Sequence, residues 1–170
     1  MKQVAILIED LFDEREFIYP YYRVMEAGFR LLVVGPEARV YKGKTGLSWK
    51  ADAAASEVAA EGLSGLLIPG GYAPDRLRRH EAVLDLVRAV DRAKKPLGAI
   101  CHAGWVLISA GVVKDRRLTG YFSIKDDLKN AGAIYLDEAP VVDENLITAR
   151  GPADLPAWMQ AFVLALMQAG

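Results

Sequence analysis

The strongest constraint on the fold is a repeated switch between two hydrophobic periods. Residues 3–8 (QVAILI), 30–34 (RLLVV), 64–68 (SGLLI) and 97–100 (LGAI) are short, nearly unbroken apolar runs. Runs of this kind suit parallel strands covered on both faces, where no position meets water. Between them lie stretches with helix signals: 16–27, closed by Gly28, and 75–93, with a break expected near His80. Pro20 is tolerable if the first of these helices starts near Phe17. Residues 53–61 read as a weak Ala-rich helix, 124–131 as a helix stopped by Gly132, and 154–168 as a closing helix. Short strands are expected at 40–42 and 47–50, joined by a turn, and at 116–121. Edge strands are expected at 133–136 and 146–149, around Asp143-Glu144-Asn145. Strand and helix alternate from end to end, with no repeat, linker or low-complexity tract. That pattern implies a single α/β domain over residues 1–170, a mostly parallel sheet with helices on both faces.

Charge and composition narrow the class. Lys plus Arg is 21 and Asp plus Glu is 22, for a net charge of -1. A domain so balanced has no general attraction for nucleic acid or an anionic membrane, so neither is expected as a partner. The basic run Arg76–His80 reads as a solvated helix face. With 52% hydrophobic and 25% charged residues the chain is globular in type. A single cysteine argues against a disulfide framework. The first residues lack the long apolar run of a signal peptide, and no stretch approaches the roughly 18 apolar residues of a membrane span. The expected location is the cytoplasm.

In doubly wound sheets, reactive groups gather beyond the strand C-termini. Three segments end there: the acidic loop after Ile8, Pro69-Gly70-Gly71 after Ile68, and Cys101-His102 after Ile100. Cys101 sits where a strand should stop and a helix should start, among Gly98, Ala99, Ala103 and Gly104. A sharp strand-to-helix turn that exposes a nucleophile needs such small neighbours. A helix N-terminus favours a thiolate, so a lowered thiol pKa is expected. At a pKa near 8.5 only about 3% is thiolate at neutral pH, and a fall of roughly three units needs about 4 kcal/mol. One helix end supplies at most about 2 kcal/mol, so a second partner is required. Position alone leaves two readings of Cys101, a nucleophile and a small core residue; the glycine loop favours chemistry. Gly70 and Gly71 suit either close backbone approach to a ligand or a tight turn. The Gly71 and His102 amides together would make a two-donor oxyanion hole. His102 is the candidate base. No zinc-ligand spacing, dinucleotide fingerprint or P-loop occurs, so no metal and no cofactor are expected. The acids Asp10, Asp13, Glu14 and Glu16 read as a solvated loop rather than a cation site.

Five segments, FDEREFIYPYYRVMEAG, LLIPGGYAPDRLR, GAICHAGWVLISAGV, YFSIKDDLKNAGA and RGPADLPAWMQAF, closely resemble the ThiJ/PfpI superfamily in the family's order. The likeness is to its PfpI-type intracellular cysteine peptidase branch. The resemblance implies a flavodoxin-like three-layer αβα sandwich with Cys101 as nucleophile. It also implies a carboxylate from the first helix, matched by Glu16, held beside the sulfur as a protonated hydrogen-bond donor. His102 would be oriented by an acid from a neighbouring subunit, matched by Asp75, where the family usually has Glu. Asp13 stands where relatives commonly carry Glu, the elbow reads C-H-A-G rather than C-H-G-P, and Tyr121 matches a tyrosine near the pocket. A homo-oligomer, dimer or hexamer, with a site shared across an interface follows from the same likeness.

The implied activity is that of a cysteine-nucleophile hydrolase on short peptides or methylglyoxal-type carbonyl adducts, as peptidase, glyoxalase or deglycase. A non-enzymatic stress protein whose Cys101 senses oxidant is the alternative. Amidotransferase-like chemistry would want a synthetase partner and a distant histidine, and no His follows His102.

Overall fold

The computed structural model describes residues 1–170. Strand β1 (Gln3–Leu7) leads into helix α1 (Glu14–Glu26), then β2 (Arg30–Gly35), the hairpin β3 (Val40–Lys42) and β4 (Ser48–Lys50), and β5 (Ala53–Ala54). Strand β6 (Gly65–Ile68) is followed by α2 (Ala73–Leu77) and α3 (Glu81–Arg92). Next come β7 (Leu97–Ile100), α4 (Gly104–Ala110), β8 (Arg117–Leu118) and α5 (Lys125–Asn130). The chain closes with β9 (Ile134–Tyr135), β10 (Val141–Asp143), β11 (Leu146–Ala149) and α6 (Leu155–Ala169).

Seven strands form one sheet in the order β10-β11-β7-β6-β1-β2-β5. Every pairing from β11 to β5 is parallel, and only the edge pair β10–β11 is antiparallel. The buried strands carry the apolar runs because both faces are covered. One face holds a cluster with Val83, Val87, Val106, Leu107 and Leu128 from α3, α4 and α5. The other packs Phe17 and Val24 of α1 against Trp158, Phe162 and Leu166 of α6. Trp158 is fully buried, and its indole N–H donates to the Ile147 carbonyl at 2.9 Å. Helix α3 shows how sequence sets this packing: Val83, Leu84, Leu86, Val87 and Val90 recur at helical spacing and face the sheet, while Glu81, Asp85 and Arg88 pair on its outer side.

The expected flavodoxin-like αβα sandwich is therefore present, and the break near His80 separates α2 from α3. Three local expectations are corrected. Residues 53–61 are not helical: Ala53–Ala54 pair with Val34–Gly35 at the sheet edge, and two 3-10 turns follow. Asp52 accepts from Val33 N–H at 2.8 Å and Glu57 from Ala54 N–H at 3.1 Å, so edge pairing overrides the helical preference of alanine. Residues 146–149 are not an edge but an interior strand between β7 and β10, with all four residues buried. Residues 134–135 leave the main sheet and pair with β8. Pro20 also lies well inside α1, because Asp13 starts the helix at Glu14.

Strand order reverses its direction of growth between β1 and β6. The loops leaving these two strands meet at that switch point, where such folds open a crevice. Phe12 forms a bridge with Gly71, Asp13 N–H donates to the Gly70 carbonyl at 3.2 Å, and Tyr72 N–H donates to the Leu11 carbonyl at 2.9 Å.

Candidate active site

Strand β7 ends at Ile100, and Cys101 follows with φ 63°, left-handed backbone that a cysteine adopts only under constraint. Such a residue costs about 1–3 kcal/mol and persists where its surroundings dictate it. A 3-10 turn over Cys101–Ala103 then leads into α4. The Cys101 carbonyl accepts from Tyr121 N–H at 3.1 Å, which ties the following loop to the elbow. Cys101 is thus at a strained strand-to-helix corner, and it is 9% exposed.

Glu16 reaches the same point from α1. It is 0% exposed; Oε1 accepts from Gly70 N–H at 2.9 Å, and Oε2 has no hydrogen-bond partner. A side chain at position 70 has no room: a Cβ there would lie 2.5 Å from Glu16 Oε1 and 2.7 Å from Cys101 Cβ. Glycine at 70 therefore lets the carboxyl and the thiol stand side by side. Gly71 has a different reason, a φ of 85° and a Cβ position 2.5 Å from Asp13 N. Its N–H and that of His102 act on the Cys101 thiol in the direction that favours the ionised form.

The electrostatics reverse one expectation. Burial, seconded by the Glu16 carboxylate, pushes the Cys101 thiol up to about 12, against the pull of the Gly71 and His102 amides. A resting thiolate prepared by the helix is not what this subunit provides: α4 begins three residues beyond the sulfur, and desolvation exceeds the help of two N–H groups. Burial also raises Glu16, to about 7, with the Asp13 charge adding to the rise. The His102 imidazole is lowered from its ordinary value by burial and by Lys44.

His102 Nδ1 lies 3.2 Å from Cys101 Sγ. Its ring stacks on Tyr121, centroids 5.0 Å apart and planes at 28°, and meets Trp105 edge-on at 5.1 Å. Its other nitrogen, Nε2, lies 3.2 Å from Ser123 Oγ. Among the residues singled out from sequence, Cys101, His102, Glu16, Gly70, Gly71 and Tyr121 are brought together. Asp13 adjoins them but is committed to structure. It caps α1 by accepting from Arg15 N–H and Glu16 N–H, and it pairs with Arg15 at 2.8 Å and Lys44 at 3.4 Å. Burial works to raise the Asp13 carboxyl, but Arg15, Glu16 N–H and Lys44 hold it below the usual carboxylate range. Asp75 is half exposed on α2, pairs with Arg79 and makes no hydrogen bond to His102. Sequence reasoning missed Ser123 and Lys44; the one signal for Ser123 is a hydroxyl two residues beyond Tyr121. A groove of about 990 Å³ along α1 and the start of α6 contains neither Cys101 nor His102. No group of three or more His, Cys, Asp or Glu side chains is arranged to hold a metal ion. No helix is long and apolar enough to cross a membrane.

A model of the DJ-1/PfpI family matches residues 2–165. The chain belongs to the DJ-1/PfpI family. A deglycase of Pyrococcus abyssi is 42% identical over 164 residues, 96% of this chain and 99% of that protein. Protein/nucleic acid deglycase 2 of Escherichia coli is 39% identical over 160 residues, 92% of this chain and 93% of that one. A solved two-domain protein of Anabaena variabilis, with DJ-1/ThiJ/PfpI-like and ferritin-like domains, superposes with a TM-score of 0.97 at 41% identity. That match covers 100% of this chain and 49% of the other. The chain is therefore similar to one domain of that larger protein and to nearly the whole of the two deglycases. Within the DJ-1/PfpI family the elbow cysteine, the glycine loop and the first-helix carboxyl are the features that the five sequence segments had brought forward.

Proposed function

We propose that this DJ-1/PfpI protein is a cysteine-dependent hydrolase of the PfpI type, acting on methylglyoxal-type carbonyl adducts or on short peptides. The observation that carries the reading is a cysteine with positive φ at a strand end, its sulfur 3.2 Å from a histidine nitrogen and next to a buried carboxyl. The deglycase names of its relatives support the carbonyl-adduct substrates.

In this reading Cys101 is the nucleophile, and it need not rest as a thiolate. As a carbonyl group arrives, His102 Nδ1 takes the thiol proton while sulfur bonds to the carbonyl carbon. The carbonyl π electrons move to oxygen, which the Gly71 and His102 N–H groups receive. With a peptide, the oxyanion then collapses as His102 gives its proton to the departing amine, and water cleaves the resulting acyl–sulfur bond, releasing the acid and restoring the thiol. Glu16, neutral below about 7, has an unpartnered oxygen whose proton is available to the sulfur anion. Asp75 of a neighbouring subunit is proposed to approach His102 in a homo-oligomer, and Tyr121 to wall the pocket. A purely oxidant-sensing role asks for an open, acidic thiol at rest, which a buried, raised thiol does not favour.

Cys101→Ser is the test, on methylglyoxal, glycated amino acids and fluorogenic peptides. Loss of all turnover is expected; a serine variant that retains the wild-type rate would overturn the mechanism. Light scattering that finds an active monomer would remove Asp75 from it.

A further inference from the structure

The His102 ring has four contacts within the chain, to Cys101, Trp105, Tyr121 and Ser123, and the last has no place in the chemistry so far. We infer that Ser123 is a positioning residue for the hydrolase reading above: its hydroxyl holds the His102 ring at Nε2 so that Nδ1 faces the sulfur as a base. Cys101 Sγ and Ser123 Oγ sit at opposite ring nitrogens, each at 3.2 Å. When Ser123 Oγ accepts a hydrogen bond from Nε2–H, the ring's only proton is at Nε2 and Nδ1 is bare, ready to take the thiol proton. Once Nδ1 is protonated, the same Nε2–H to Oγ bond persists, so the transfer needs no reorientation.

The serine is well placed to do this. It lies in a 3-10 turn, Phe122–Ile124, whose two ends are fixed. Tyr121 N–H donates to the Cys101 carbonyl at 3.1 Å, and Ile124 is buried in the core at 1% exposure. Tyr121 covers one face of the imidazole and Trp105 meets it edge-on, while Trp105 is itself held by Asp127 at 2.9 Å. These contacts restrict ring tilt, and the hydroxyl receives Nε2–H when the Cys101 thiol, protonated at rest, donates to Nδ1. Being neutral, it does so without raising the imidazole's basicity as a carboxylate would.

The experiment compares wild type with Ser123→Ala, Ser123→Thr and Ser123→Asp. Methylglyoxal turnover and Cys101 alkylation by iodoacetamide are followed across pH. Ser123→Ala is expected to lower kcat about tenfold, the scale of one lost hydrogen bond, with KM changed less than twofold. Ser123→Thr keeps the hydroxyl and restores most of the rate. Ser123→Asp places a charge beside Nε2 and moves the acidic limb of the rate up by about one pH unit. A Ser123→Ala enzyme with wild-type kcat, or an Asp variant whose limb does not move, overturns the assignment. If wild type turns over no substrate, the hydrolase reading fails by itself. Alkylation then decides Ser123: a pH midpoint displaced by Ser123→Asp upholds the contact, and an unmoved one removes it.

Discussion

Replacing Glu16 by Gln should stabilise the protein at neutral and alkaline pH while leaving it little changed in acid. The carboxyl is 0% exposed, and its pKa rises from 4.5 to about 7, chiefly through burial and then through the Asp13 charge. A folded-state pKa above the unfolded one means that the folded protein binds more protons between these values. Its contribution is fully present below 4.5 and is lost as pH rises through about 7. At about 1.4 kcal/mol per pH unit, the interval corresponds to about 3 kcal/mol, with no discount for solvent screening at a fully buried site. Glutamine is neutral throughout and can still accept from Gly70 N–H. Urea denaturation at pH 4 and pH 8 measures the difference between the two proteins. The wild-type midpoint should fall relative to Glu16→Gln by on the order of 1 M across that range. Parallel curves for wild type and variant would show that Glu16 ionises normally and would refute the reasoning.

The remaining predictions concern the same corner and its support. The rate should pass through a maximum: it rises as His102 loses its proton, below pH 6.5, and falls near pH 7 as Glu16 ionises beside the sulfur. The falling limb should be missing from a kcat/KM profile of Glu16→Gln. Gly70→Ala puts a methyl between Glu16 Oε1 and Cys101 Cβ, so activity should drop at least tenfold, as read by turnover and by the alkylation rate of Cys101. Trp158→Ala should cost roughly 3–5 kcal/mol in denaturant unfolding, because it empties a fully buried site and removes the indole's hydrogen bond to the Ile147 carbonyl.

The architecture and the position of the nucleophile were legible because both depend on local signals. Apolar runs such as QVAILI and LGAI announce buried parallel strands, and a cysteine at the end of one, among glycine and alanine, marks an elbow. The glycine loop was legible in the same way. Glu16 is harder: it is 54 residues from its partner Gly70, and only the likeness to a family singled it out among four nearby acids. Three features lie beyond local reading. The raised thiol pKa depends first on burial by the assembled fold and then on a carboxyl carried in from another helix, and no window around Cys101 contains either. Ser123 is an unremarked hydroxyl in a polar loop, brought to His102 by one backbone bond between Tyr121 and Cys101. Residues 146–149 read as an edge because they sit beside a turn and carry the polar Thr148; pairing with the distant β7, Leu146 opposite Leu97, makes them interior.

Two unfavourable features meet at Cys101, and each follows from the demand that a nucleophile be both aimed and adjustable. Left-handed backbone at a cysteine costs about 1–3 kcal/mol. A carboxyl in a dry cavity costs about 3 kcal/mol once ionised. Neither is relieved locally, since Glu16 Oε2 has no partner and the sulfur has only amides and an imidazole. They are sustained by the two apolar layers that clamp β7, β6 and β1 from both sides, so the corner cannot relax without moving strands buried at 0–2% exposure. A substitution that relieves the site, as Glu16→Gln does, should therefore make the protein more stable and less responsive to pH at once, because burial of the same ionisable carboxyl, with the Asp13 charge, is the source of both effects.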